Sequence, residues 1–316
     1  MSVRRALTVP LLPLFVFAAL FFSEQIDMNR LMGSRGAYLS FVIIQLLCIY
    51  LPVVFYCKAR EIVTASHLKI RPFGLEKAVF LLFSVFFMIF AMTAVELVMQ
   101  SIGVGDGLYA HSVFHLYGRD LPDLGTNVYD TLYIAVVFAV MPALGEELLF
   151  RSVLFSEYES LGAPAAIFLT ALLHAFLPMN FTSLLPSFVG GLILGFTVYI
   201  TQSVLASLAV HFLYNLYALF IQEYIWAYIS KPENTLFFAI LLSAALLFSL
   251  ILILSQAEHV MYGKGIRSEY APSYVSVDVE TRRFFCPDRK YIAIAFISPT
   301  FILCAVLFVI RAAGWF

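Results

Sequence analysis

The stretch Thr131–Arg151, TLYIAVVFAVMPALGEELLFR, runs fifteen residues without a charge and then places Glu146, Glu147 and Arg151 within six positions. Its length and apolarity suit a helix that crosses a bilayer, which needs about 20 such residues. Each charge near the centre of a bilayer costs roughly 2.5–3.5 kcal/mol or more. Charges at this position are therefore expected to be paired with one another or to perform chemistry.

The whole chain is of the same kind. Of 316 residues 62% are hydrophobic and 12% charged, 32 are Phe, and the mean hydropathy is +0.93. A soluble domain carries roughly 25% charge, so the reading is an all-α, polytopic transmembrane helical bundle. A net charge of −1 offers no basic face, which sets nucleic acid aside as a partner. Cys48, Cys57, Cys286 and Cys304 show no C-x-x-C spacing and read as packing residues. The first apolar run follows Arg4 and Arg5 but has no small-x-small cleavage site, so it is read as a span.

Apolar runs fall at about 6–23, 37–57, 78–101, 130–150, 163–178, 183–202, 204–225, 235–255 and 291–311, predicting eight or nine membrane helices. The 58–77 and 256–290 loops are rich in Lys and Arg, whereas 103–129 has Arg119 against Asp106, Asp120 and Asp123. Nine spans threaded from a cytoplasmic N-terminus put both basic loops inside, as the positive-inside rule requires. Three consecutive parts follow: 1–125, three spans with an acidic extracytoplasmic loop; 126–225, the part with intramembrane charge; and 226–316, further spans with loop 256–290. That loop is expected either to fold over the cytosolic side of the site or to lie on the headgroups. Gly191 and Gly195 form a G-x-x-x-G, read as close internal helix packing rather than a dimer face.

Inside the runs the ionisable residues are few. Glu223 and Arg311 fall at span ends, where snorkelling suffices, and Glu96 is read as a helix-packing or interfacial group. Glu146, Glu147, Arg151, His174 and His211 remain. At about 1.5 Å per residue, Glu146 lies roughly two thirds of the way down the fourth run, His174 about 16 Å and His211 about 10 Å from the cytoplasmic ends of theirs. All fall in the cytoplasmic half, as one shared polar site requires. Glu147 and Arg151 are four apart in the favourable order for an ion pair, leaving Glu146, rotated by about 100°, to point elsewhere. A desolvated carboxylate beside a histidine suits a general base. His211 and Asn215 in HFLYN, again four apart, supply two donors to one face, the equipment of an oxyanion site.

EELLFR, then His174, then HFLYN resembles the three ordered motifs E-E-x-x-x-R, F-x-x-x-H and H-x-x-x-N/D of the CAAX protease and bacteriocin-processing family of intramembrane endopeptidases, called CPBP or Abi. The likeness covers Glu146 to Asn215, with Thr170 standing where the family has Phe and Phe168 nearby. The resemblance implies a CAAX-protease-like core in which Glu146 and His174 activate water, His211 and Asn215 stabilise the oxyanion, and Glu147 with Arg151 orders the site. It implies a peptide or membrane-protein substrate, lipidated or not, cut near the cytoplasmic face. The lack of recognisable eukaryotic retention or transit signals leads to the expectation of a bacterial plasma membrane as the setting. No cofactor is required on this reading. The alternative is zinc held by Glu146, His174 and His211, although H-E-x-x-H is absent and the histidines lie on different helices. Two further alternatives are a non-catalytic protein of the same fold, such as a self-immunity or assembly factor, and a proton-coupled transporter. The latter is disfavoured by the absence of inverted repeats.

Overall fold

The computed structural model describes residues 7–23, 36–62, 67–103, 115–116, 119–120, 128–229, 231–266 and 289–314. It is a bundle of helices, all-α apart from a two-residue antiparallel ribbon, β1 (His115–Leu116) with β2 (Arg119–Asp120). In order the helices are α1 (Leu11–Phe22), α2 (Gly36–Ile44), α3 (Leu51–Ala59), α4 (Ala78–Ser101), α5 (Val128–Ile134), α6 (Met141–Glu146) and α7 (Phe155–Tyr158). They continue with α8 (Ala163–Phe176), α9 (Phe181–Thr201), α10 (Val204–Phe220), α11 (Gln222–Ile229), α12 (Pro232–Ile266), α13 (Arg289–Ile297) and α14 (Pro299–Ala312).

Eight or nine spanning helices were expected from the apolar runs. Among the described residues five helices are long and apolar enough to cross: Leu39–Ala59, Leu75–Ser101, Thr131–Leu161, Phe181–Thr201 and Glu233–Met261. A sixth, α10 with α11, is bent by 55° at its break, and the remaining apolar segments are short helices, α1, α8 and α14. The reasons are local. Helix α1 begins after Pro10, α8 starts beyond Gly162 at φ 98° and stops before Pro178, and Ser298, extended ahead of Pro299, separates α13 from α14. Ser298 shows the effect of the following proline, which pushes the residue before it out of the helical region.

Two of the long helices contain wide, π-helical turns. Gln45–Tyr50 joins α2 to α3 and Ala135–Val140 joins α5 to α6, each two residues ahead of a proline, Pro52 and Pro142. A proline ring collides with the carbonyl four residues before it and supplies no N–H, and a wider turn relieves the collision. A third π-helical stretch, Glu147–Leu154, carries Glu147 and Arg151.

Helices α8 and α9 pack closely. A methyl group at Gly191 would fall 2.9 Å from Ala171 Cα, and one at Gly195 would fall 3.2 Å from Ile167 Cγ2. The G-x-x-x-G face is thus filled by α8, an internal contact. Residues 67–77 strap the ends of three helices together. Ser152 Oγ and Ser156 Oγ donate to the Leu68 and His67 carbonyls at 2.8 Å each, Val204 N–H to Lys69 O at 3.0 Å, and Lys77 Nζ to Thr201 O at 2.7 Å. Lys69 Nζ, itself buried, donates to Glu159 Oε1 at 2.6 Å and Gln202 Oε1 at 2.8 Å. Helix α12 runs on to Ile266, into the stretch read as a loop; the rest of 256–290, with Cys286, lies outside the described residues. Cys48, Cys57 and Cys304 are free thiols.

Candidate active site

All five intramembrane ionisable groups singled out in the sequence meet at one place. Glu146 ends α6, Glu147 and Arg151 lie on the π-helical turn that follows, His174 is near the C-terminus of α8, and His211 is two turns into α10. All five side chains are buried.

Glu146 Oε2 lies 2.9 Å from His174 Nε2. The other ring nitrogen of His174, Nδ1, is 3.0 Å from the Ser187 carbonyl. A carbonyl only accepts, so Nδ1 carries a hydrogen and donates it. Neutral His174 then has a lone pair at Nε2, and a hydrogen bond to a carboxylate oxygen there needs a proton between them. Glu146 and His174 therefore hold one shared proton. The Phe150 ring, from EELLFR, packs edge-on against His174 at 5.1 Å between centroids. It gives His174 an aromatic neighbour where the motif's Phe is missing. Thr170 instead bonds its own helix, donating to Ala166 O at 2.8 Å, and Phe168 faces Phe188 and Phe296.

Glu147 is the better-paired carboxylate. Arg151 Nη1 stands 3.5 Å from its Oε1, His211 Nδ1 lies 3.0 Å from the same oxygen, and the Ser207 hydroxyl donates to Oε2. Arg151, with 0% exposure, also donates through Nη2 to Gly191 O at 3.3 Å. The expected ion pair is present, and Glu146 turns to a different partner, His174. His211 sits between the two carboxylates, Nδ1 on Glu147 and Nε2 3.9 Å from Glu146 Oε2.

Asn215 lies one turn beyond His211, and its Nδ2 donates to Ala139 O at 3.3 Å. One N–H of its amide is thus used by the wide turn before α6, and the second remains. Sequence reasoning missed Ser207 and Phe150. Ser207 stands four residues before His211 and shares its helix face, a signal that was available; Phe150 lies inside the first motif. Glu96, taken as a packing or interfacial group, accepts from Gln222 Nε2 at 3.0 and 3.3 Å, tying α4 to the start of α11.

As a zinc site the proposed donors do not fit as they stand. Glu146 Oε2 and His174 Nε2 point at one another across a direct hydrogen bond, and among the described residues no three His, Cys, Asp or Glu side chains are arranged to hold a metal ion.

Fold and site define a multi-pass membrane protein with a buried carboxylate–histidine centre. Residues 129–217 match the family model described as Type II CAAX prenyl endopeptidase Rce1-like, the CAAX protease family that the three motifs resemble. That family is one of proteases. The matched stretch holds Glu146, Glu147, Arg151, His174, His211 and Asn215. Comparison with curated proteins and with solved structures finds no match.

Proposed function

We propose that the protein is an intramembrane endopeptidase that hydrolyses a peptide bond near the cytoplasmic face of the membrane. The observation that carries this reading is the contact of Glu146 with His174 at 2.9 Å, with each site histidine anchored through Nδ1. The shared proton leaves Glu146 Oε1 to take a proton from water. The hydroxide so formed adds to the peptide carbonyl carbon, whose oxygen becomes the oxyanion. His211 Nε2 and the second Asn215 N–H are the donors for that oxyanion. Since Nδ1 of His211 already donates to Glu147, a hydrogen on Nε2 makes the ring an imidazolium, whose charge faces both carboxylates. The tetrahedral carbon then expels the amine, which takes its proton from the Glu146–His174 pair. Glu147 and Arg151, with Ser207, order the site by fixing His211.

On this reading residues 126–225 are the catalytic core and no cofactor is required. The substrate is a peptide or membrane protein, lipidated or not, reached from a bacterial plasma membrane with the N-terminus in the cytoplasm. The test is cleavage of a fluorogenic peptide library, half of it prenylated, by the protein in detergent micelles, with and without a strong chelator, beside Glu146→Ala and His174→Ala. Activity that resists the chelator and vanishes in both variants is the expected result. Loss with chelator and recovery with zinc would replace the metal-free step by a metal site. No cleavage by wild type, with both variants folded alike, would sink the enzyme reading.

A further inference from the structure

Two polar side chains outside the three motifs and outside residues 129–217 reach the backbone of the helix that carries Glu146. Gln45 and Tyr50 are the first and last residues of the wide turn between α2 and α3. Hydrogen bonding to the fifth residue stacks position i over i+5, so this turn brings Gln45 and Tyr50 towards one face; in an α-helix they would diverge. Gln45 Nε2 donates to Val137 O at 3.0 Å and Tyr50 Oη to Met141 O at 2.8 Å.

The first of these bonds answers a defect specific to this sequence. In the wide turn Ala135–Val140 the Met141 N–H bonds back to Val136 O, five residues earlier. The next bond in that series would run from residue 142 to Val137 O, but residue 142 is proline and has no N–H. Gln45 supplies the missing donor. It does so with a fully buried side chain, 0% exposed, whose Oε1 has no hydrogen-bond partner among the described residues. A buried, half-satisfied amide is a poor choice for stability alone. Tyr50 holds a carbonyl four residues further on, at Met141, and its ring closes on the helix just before the carboxylates. A methyl group at Gly145 would fall 3.2 Å from Tyr50 Cε2 and from Ile49 Cγ2.

We propose that Gln45 and Tyr50 are positioning residues for Glu146, locking the proline-weakened turn of its helix so that the carboxylate meets His174. The proposal deepens the endopeptidase reading and rests on it for its kinetic consequence. The groups facing Glu146 are His174 from α8, His211 from α10, Glu147 and Arg151 from its own helix, and Tyr50, which is within electrostatic range.

The experiment uses the full chain with Gln45→Leu and Tyr50→Phe, substitutions that keep shape and remove the donor. Three quantities are read: kcat and KM on the best library peptide, the melting temperature, and the pH titration of the carboxyl infrared band that Glu146→Gln abolishes. The expected result is a fall in kcat of roughly ten- to a hundredfold, the cost of a sub-ångström to ångström misplacement, with KM and melting temperature unchanged and the Glu146 band titrating at a different pH. Unchanged kcat and an unmoved band would overturn the proposal, as would lost activity that follows a lowered melting temperature with the band unmoved. If wild type cleaves no peptide but the band moves in either variant, the positioning role stands and the endopeptidase reading falls. If the band does not move either, both fall.

Discussion

Glu146 and Glu147 are chemically identical neighbours with different surroundings, and substitution should separate them. Glu146 contacts His174 Nε2 at 2.9 Å. Glutamine there keeps a donor for that nitrogen but cannot take a proton from water, so Glu146→Gln is expected to leave the melting temperature near wild type and lower kcat by roughly 10²–10⁴. Glu147 is the buried counter-ion of Arg151. Glu147→Gln leaves a buried guanidinium uncompensated and should cost about 3–5 kcal/mol of stability, read as a lower melting temperature in detergent before any kinetics are measured. Ser207→Ala removes one bond to that carboxylate and should cost about 1.5–3 kcal/mol, with activity per folded molecule reduced less than in Glu146→Gln. Equal melting temperatures for the Glu146 and Glu147 variants would contradict the division of roles. The charged members of this centre were legible in the sequence because charge is expensive in an apolar run. Gln45 and Tyr50 were not, because an uncharged polar residue in a helix is cheap enough to be ordinary and only contacts give it meaning; Ser207 had only its spacing of four from His211 to mark it.

Helices place these side chains, and their irregularities matter more than their lengths. Nine apolar runs were visible, and each corresponds to helix, but hydropathy does not register a break. Gly162, Pro178 and Ser298–Pro299 cut the fifth and ninth runs to helices shorter than a bilayer, and the seventh bends at Ile221. The wide turns were hidden because a proline inside a run announces a kink, not its form. The approach of α8 to α9 was legible through Gly191 and Gly195. It has a functional consequence, since His174 lies one turn beyond Ala171 and bonds Ser187 O on α9 at 3.0 Å. Gly191→Ala sets a methyl against Ala171 backbone, so the helices must separate, at about 1–3 kcal/mol. The expected outcome is a loss of activity larger than the fall in melting temperature accounts for. The nearest atoms include Ala171 Cα and the Ala171 carbonyl oxygen at 3.2 Å, which remain in Ala171→Gly, so that second change should return little of the lost activity. Unchanged activity in Gly191→Ala would mean that this contact does not place His174.

At the scale of the whole molecule, the stretch that carries the motifs is not built to stand alone. Residues 126–225 hold every proposed catalytic group, yet their helices lean on the first part of the chain at several points. Phe138 packs edge-on against Phe41 at 5.0 Å, and Val137 and Met141 take donors from Gln45 and Tyr50. Ser152, Ser156 and Thr201 bond to the 67–77 strap, and Glu159 meets Lys69. In a bilayer the apolar part of these contacts has no hydrophobic driving force of its own, because lipid is as apolar as the side chains; packing and hydrogen bonds must hold the helices together. The strap supplies several such bonds where three helix ends meet. Glu159 remains 39% exposed, which screens its pair with Lys69, so Lys69→Met should cost roughly 1–2 kcal/mol, between the surface and buried limits. Removing residues 1–125 altogether removes every one of these ties. A fragment spanning 126–225 is therefore expected to insert into membranes but to show no hydrolysis, and co-expression with 1–125 and 226–316 as separate chains should restore part of it, since the ties are non-covalent. Cleavage by the 126–225 fragment alone, at a rate near that of the full chain, would show that the motifs need no support from the first part. It would also remove the physical ground on which Gln45 and Tyr50 are given a part in the site.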